Sequence, residues 1–180
     1  MNKIFFLGDP HFGDSTIINL ENRPFTDVKQ QTEEIIRLWN TVVDKDDIVY
    51  VVGDFLKVGC ENFNINKLCN LNGTKYLIKG NHDTADNNFY INDCGFKNVY
   101  EHPIILDEFW IVSHEPQYIN KNFPYANIFA HVHNNPIYTT HSCRSYCVSA
   151  ERIGFMPISF DEIKKTVYDD DVKETATKTK

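Results

Sequence analysis

No apolar run in this chain of 180 residues approaches the roughly 18 residues that a bilayer-spanning helix requires, which excludes a transmembrane helix. Basic residues are scarce as well: 18 Lys and Arg stand against 25 Asp and Glu, a formal charge of −7. That balance excludes a broad basic surface gripping nucleic acid. It leaves room for a nucleotide-sized substrate, because bound divalent ions make a site locally positive. Cysteine is sparse and poorly patterned. Cys60, Cys69, Cys94, Cys143 and Cys147 are odd in number and include no C-x-x-C pair. They read as reduced thiols of a cytoplasmic protein, with a disulfide or an accessory metal site as the alternative. A signal-peptide core is missing too. Only Ile4 to Leu7 are apolar before Gly8-Asp9, which is a buried first strand in miniature.

What is present suits one ordinary folded unit. A hydrophobic share of 42% is enough for a sizeable core at this length. We expect a single domain over residues 1–168 and a polar, disordered tail over 169–180. Lys3 to Leu7, Ile48 to Val52 and Tyr76 to Ile78 are short apolar runs bounded by Gly or Asp, as buried strands are. Ile35, Ile36, Trp39 and Val43 recur at helical spacing within a helix over 28–43, and Asn62 to Leu71 is a weaker, Asn-rich helix. This alternation predicts right-handed crossovers and a largely parallel sheet. The second half turns to strands: Val99 to Leu106 and Phe109 to Ser113 joined across Asp107-Glu108, then Ile128 to Ala130 and Tyr146 to Ser149. A short helix over 160–167 closes the pattern. The fold class is therefore α/β, with two sheets packed face to face and helices outside.

Five clusters of Asp, Asn and His follow these runs: Asp9-x-His11, Gly53-Asp54, Gly80-Asn81-His82-Asp83, His114 and His131-x-His133. Strand ends aim side chains at one crevice, so residues distant in sequence can converge there. Asp-x-His alone is weak evidence, and Gly-Asp after a strand is an ordinary turn. The four-residue Gly80 to Asp83 string is stronger. Gly80 permits a tight turn, and the Asn81 carbonyl offers a metal an oxygen without adding charge. His82 is then able to face a substrate, with Asp83 orienting its ring. Five of the seven histidines fall within the set, and His102 and His141 are left as surface or packing residues. Together the clusters read as the ligand set of a two-metal hydrolytic site, with the Asp54 carboxylate giving one oxygen to each ion.

In this order the clusters resemble the calcineurin-like metallophosphoesterases, most closely the small bacterial and phage-type members, whose pattern Arg23-Pro24-Phe25 also fits. Ala130 stands where that family usually has Gly before the final His-x-His. The resemblance implies a four-layer α/β/β/α sandwich of two mixed sheets flanked by helices. It implies one ion on Asp9, His11, Asp54 and His133, and a second on Asp54, Asn81, His114 and His131. The donor set contains no thiolate and suits Mn, Fe, Zn, Co or Ni, with Mn first by analogy with the family. The activity implied is hydrolysis of a phosphomonoester or phosphodiester, on a small-molecule or nucleotide-like substrate, by attack of a metal-bridging hydroxide. His82 would assist the phosphoryl or leaving group. Arg23 is either a second phosphate contact or a surface arginine beside a proline turn. Two other classes stay in view. A catalytically silent phosphatase-fold interaction module is disfavoured by the complete ligand set. A structural metal domain is disfavoured because it would favour cysteine ligands.

Overall fold

β1 (Ile4–Leu7), β2 (Ile48–Val52), β3 (Thr74–Ile78) and β4 (Phe96–Tyr100) lie side by side in parallel, and β10 (Ile158–Ser159) pairs antiparallel to β1. The computed structural model describes residues 2–59, 64–120 and 122–178. Side chains along each strand alternate between two faces. Phe5, Leu7, Val49, Val51 and Leu77 join one core, while Phe6, Val52 and Ile78 join another on the opposite face.

The first core is closed by α2 (Val28–Val42). It begins where the Asp27 side chain accepts the Gln30 N–H, and it buries Ile35 and Trp39 one turn apart. Trp39 is fully buried and still donates its indole N–H to the Asn72 carbonyl at 2.9 Å. Burying such a side chain contributes about 1.5–3 kcal/mol. The second core lies between the two sheets. There β5 (Ile104–Leu106), β6 (Trp110–Val112), β7 (Ala126–Phe129), β8 (His141–Ser142) and β9 (Ser145–Cys147) form a second mixed sheet, ordered β5-β6-β7-β9-β8. Trp110, Val112 and Ile128 pack from this sheet onto Phe6, Val52 and Ile78. α4 (Phe160–Lys178) seals that core with Phe160, Ile163 and Val167. The result is a four-layer α/β/β/α sandwich.

Local departures from the sequence reading have local causes. The run over 99–106 is not one strand: β4 ends at Tyr100 and β5 begins at Ile104, because the chain changes sheets at Glu101–Pro103. The Asn-rich helix is a 3-10 turn, Ile65–Asn70, and the part of that expectation falling on Cys60 to Phe63 lies outside the described residues. Two short helices were not expected: α1 (Ser15–Leu20) lies in a stretch that reads as a polar loop up to about Asp27, and α3 (Asn87–Asn92) in one with no assignment. Each is begun by an Asp side chain accepting a backbone N–H. α4 continues past Val167 into the polar segment to Lys178, and Asp170 is held there by His141. The four described cysteines, Cys69, Cys94, Cys143 and Cys147, are free thiols. Among the described residues no helix is long and apolar enough to cross a membrane.

Parallel pairing fixes where the loops emerge. Leu7 lies opposite Val51, Val52 opposite Ile78, and Val112 opposite Ile128. The segments after β1, β2, β3, β6 and β7 therefore leave the sandwich together, and these are the five that carry Asp9, Asp54, Asn81, His114 and His131.

Candidate metal centre

Asp9, His11 and His133 bring one donor atom each within 4.8 Å of one another, and Asp54, His114 and His131 do the same. Asn81 joins the second group: its Oδ1 lies 3.0 Å from His114 Nε2 and 3.0 Å from His131 Nδ1. Asp54 stands between the two. Its Oδ2 is 3.5 Å from His11 Nε2 and 3.4 Å from His114 Nε2. One oxygen faces both donor sets, whereas the sequence reading gave each ion its own. Oδ1 is occupied, accepting the His82 backbone N–H at 2.9 Å.

The backbone that achieves this is not extended. Asp9, His11, Asp54, His131 and His133 have φ of 54°, 48°, 52°, 71° and 46°. Left-handed conformation at a non-glycine residue costs of order 1–3 kcal/mol and persists where surroundings over-determine it. Here they do. The Asp9 N–H donates to the Gly53 carbonyl, His11 N–H to the Asp54 carbonyl, and His131 N–H to Asp9 Oδ2 at 2.9 Å. The ligand loops thus hold one another. Two glycines are required by close approach: a Cβ at Gly53 would collide with the His114 ring, and one at Gly80 with Asp54. Ala130 fits its place because it packs on Gly8, which leaves space for the methyl group.

Imidazole orientation is set from behind. His114 Nδ1 donates to the Val52 carbonyl at 3.0 Å, turning Nε2 toward Asp54 and Asn81. His133 Nδ1 donates to Glu151 Oε1 at 3.0 Å, leaving Nε2 for Asp9 and His11. Glu151 sits on the 3-10 turn Ala150–Ile153 and was not singled out from sequence, where nothing marks it. It also receives Arg23 at 2.6 Å. The Arg23 guanidinium is wholly buried and donates to the Asp9 and Pro10 carbonyls and to Gln31 as well. Arg23 is therefore neither a phosphate contact nor a surface arginine. Its donors are spent inside the protein, on the Asp9 and Pro10 carbonyls, on Gln31 and on Glu151, so it ties the Asp9–His11 loop to the support behind His133.

Asp83 corrects a second expectation. It is buried and accepts from the Phe55 and Gly80 backbone N–H groups, stapling the loops after β2 and β3, and it does not reach the His82 ring. His82 is exposed at the mouth, its ring edge-on to His11 at 5.3 Å between centroids. His102 is exposed and His141 pairs with Asp170, so both stay outside the ligand set.

Charge and burial tune these groups strongly. Burial lowers the His11 pKa to about 3, so its ring is neutral and able to donate a lone pair. Burial raises Asp9 to about 6. Asp54 is held at about 2: burial opposes, but the bond and charge of His114 and the His82 N–H prevail. His114 is raised to about 9; burial again opposes, and Asp54 and Asp9 prevail. Carboxylates that draw a proton onto that ring attract a doubly charged ion more strongly.

These residues fit a pair of divalent ions. Asp9 Oδ1 and His11 Nε2 are buried with no hydrogen-bond partner among the described residues, a costly condition that cation coordination relieves. His131 Nδ1 and His114 Nε2 lie 3.0 Å apart with Asn81 Oδ1 equally close, three lone-pair atoms facing one point. Hard and borderline metals take such oxygen and imidazole donors.

The calcineurin-like phosphoesterase family model matches residues 2–177. An uncharacterised protein of Methanocaldococcus jannaschii is 31% identical over 173 residues, 93% of this chain and 92% of that protein. The gene 66 protein of Mycobacterium phage L5 is 33% identical over 86 residues, 46% of this chain and 41% of its own length. A crystal structure of an Aquifex aeolicus protein of unknown function shares the fold with a TM-score of 0.67 at 23% identity, covering 92% of this chain and all of that one.

Proposed function

This chain belongs to the calcineurin-like phosphoesterase family of metal-dependent phosphoester hydrolases, and we propose that it is a dinuclear enzyme cleaving a phosphomonoester or phosphodiester. The observation that carries the reading is Asp54 Oδ2, 3.5 Å from His11 Nε2 and 3.4 Å from His114 Nε2, shared between two donor sets. One ion is assigned to Asp9, His11, Asp54 and His133, the other to Asp54, Asn81, His114 and His131. When bound, the pair supplies an activated water near neutral pH and positive charge for phosphoryl oxygens.

The protein groups do the rest. Asn81 adds an oxygen donor without adding negative charge beside an anionic substrate. His82 is the one histidine of the site outside both donor sets, and its exposed ring is free to hold a phosphoryl oxygen or pass a proton to the leaving oxygen. Asp83 acts by fixing the His82 loop, and Arg23 by fixing the Asp9 loop. Manganese is the first metal to assay, and the free thiols fit a cytoplasmic setting.

Chelator-stripped protein is expected to lose hydrolysis of bis(p-nitrophenyl) phosphate and recover it with Mn²⁺, binding two ions per chain. His82→Ala is expected to keep both ions while kcat falls about 10²–10⁴-fold. Activity indifferent to chelation overturns the metal reading, and full activity in His82→Ala overturns the role of that ring.

A further inference from the structure

Two cavities adjoin the centre. One of about 630 Å³ is lined by the ligands His131 and His133 together with Glu21, Asn22, Asn134 and Tyr138. The other, about 210 Å³, is lined by Asn81 and His114 and reaches Lys79, His102 and Glu115. The larger lies within the 300–1,000 Å³ typical of small-molecule sites, and the smaller falls below it. Apart from the metal ligands, the reaction described above uses none of these lining residues.

The wall of the larger cavity is built, not slack. Arg152 donates to the carbonyls of His133, Asn135 and Tyr138 and to Thr140 Oγ1, so one guanidinium ties down the segment that follows the last ligand. Asn135 Oδ1 further accepts the Ile137 N–H. Chemistry then narrows the occupant. Among the described residues no Lys or Arg lines this cavity, and Glu21 does, so a second phosphate would meet a carboxylate and no side-chain cation from them. The carboxamides of Asn22 and Asn134 each offer both a donor and an acceptor. Tyr138, 40% exposed, offers a ring face. Stacking on an aromatic ring together with carboxamide hydrogen bonds is how a flat, uncharged base is held.

We propose that the substrate is a phosphodiester with one uncharged nucleoside arm lying in the larger cavity and a smaller arm toward Asn81 and His114. Asn22, Asn134 and Tyr138 are its specificity determinants. This rests on the phosphoesterase reading.

The test compares thymidine 5′-(p-nitrophenyl phosphate), methyl p-nitrophenyl phosphate and p-nitrophenyl phosphate with the Mn²⁺-loaded full chain. All three release the same p-nitrophenolate, so only the retained arm differs. The thymidine diester is expected to exceed the methyl diester in kcat/KM by about tenfold or more, mostly through KM. That ratio is expected to fall toward one in Tyr138→Ala. A ratio near one in the unaltered protein, a ratio unmoved by Tyr138→Ala, or a preference for the monoester overturns the proposal. Calorimetric titration provides a readout without turnover: thymidine 5′-monophosphate is expected to bind more tightly than inorganic phosphate, and equal affinity overturns the cavity assignment. If the nucleotide binds more tightly but no ester is cleaved with any metal, the nucleoside cavity stands and the phosphoesterase reading falls.

Discussion

Lys75 sits on β3 only 3% exposed, and among the described residues no carboxylate pairs with its ammonium. Burial lowers its pKa; the nearby thiols of Cys69 and Cys94 pull the other way and do not win. A depressed folded-state pKa means that folding disfavours the charged form. The resulting cost is present at neutral pH and disappears as pH rises toward the ordinary lysine range. Lys75→Met is therefore expected to raise the melting temperature at pH 7, about 2–4 °C for each kcal/mol in a domain of this size. The gap to the unaltered protein is expected to narrow as pH rises toward about 10, the ordinary lysine range. Thermal denaturation across that range checks both sign and window; a stabilised variant whose advantage is the same at every pH would refute the burial cause. At this scale residue type was readable and residue partnership was not. Arg23 and Asp83 were both noticed, yet each turns inward onto backbone groups that only folding brings near it.

Strand ends supply the ligands, but a short 3-10 turn supplies their support. Ala150–Ile153 carries Glu151, whose pKa is held at about 2: burial opposes, and the His133 hydrogen bond and the Arg23 charge outweigh it. Glu151→Gln keeps the volume and removes the charge that fixes His133 and balances buried Arg23. We expect weaker metal binding by about 10–100-fold. The loss should concentrate on the ion assigned to Asp9, His11 and His133, with the other less affected. Metal titration followed by calorimetry resolves the two, and equal weakening of both ions would contradict the assignment. In the first sheet the strands that frame the centre, β1, β2 and β3, were legible because each ends in an apolar run soon followed by Gly. β4 and β5 were merged because both read as strand, and a change of sheet leaves no mark on local hydrophobicity.

Across the whole molecule the centre joins the two sheets. Asp9, Asp54 and Asn81 follow strands of the first, and His114, His131 and His133 follow strands of the second. Ions held by both sets, as proposed, would act as a clasp between layers and link binding to global stability. With free metal at a hundredfold excess over Kd, that linkage adds about 2.7 kcal/mol per ion. Mn²⁺ is expected to raise the melting temperature by roughly 5–10 °C for each ion bound. Asp54→Ala is expected to remove most of that increase, because it deletes the shared oxygen. A metal-induced shift fully retained in Asp54→Ala would place the ions elsewhere.

Periodicity and cluster order, both properties of the chain alone, determined that two sheets form and that five loops carry candidate metal donors. Burial of apolar runs is local enough to read residue by residue, and parallel pairing then delivers their ends to one rim. Tertiary structure decided the rest: that one oxygen of Asp54 faces both donor sets, that ligand residues adopt left-handed backbone, and that Glu151 and Arg23 stand behind the ligands. Those features depend on distances between groups up to 128 positions apart, and hydrogen bonds and charge act over ångströms, not along sequence.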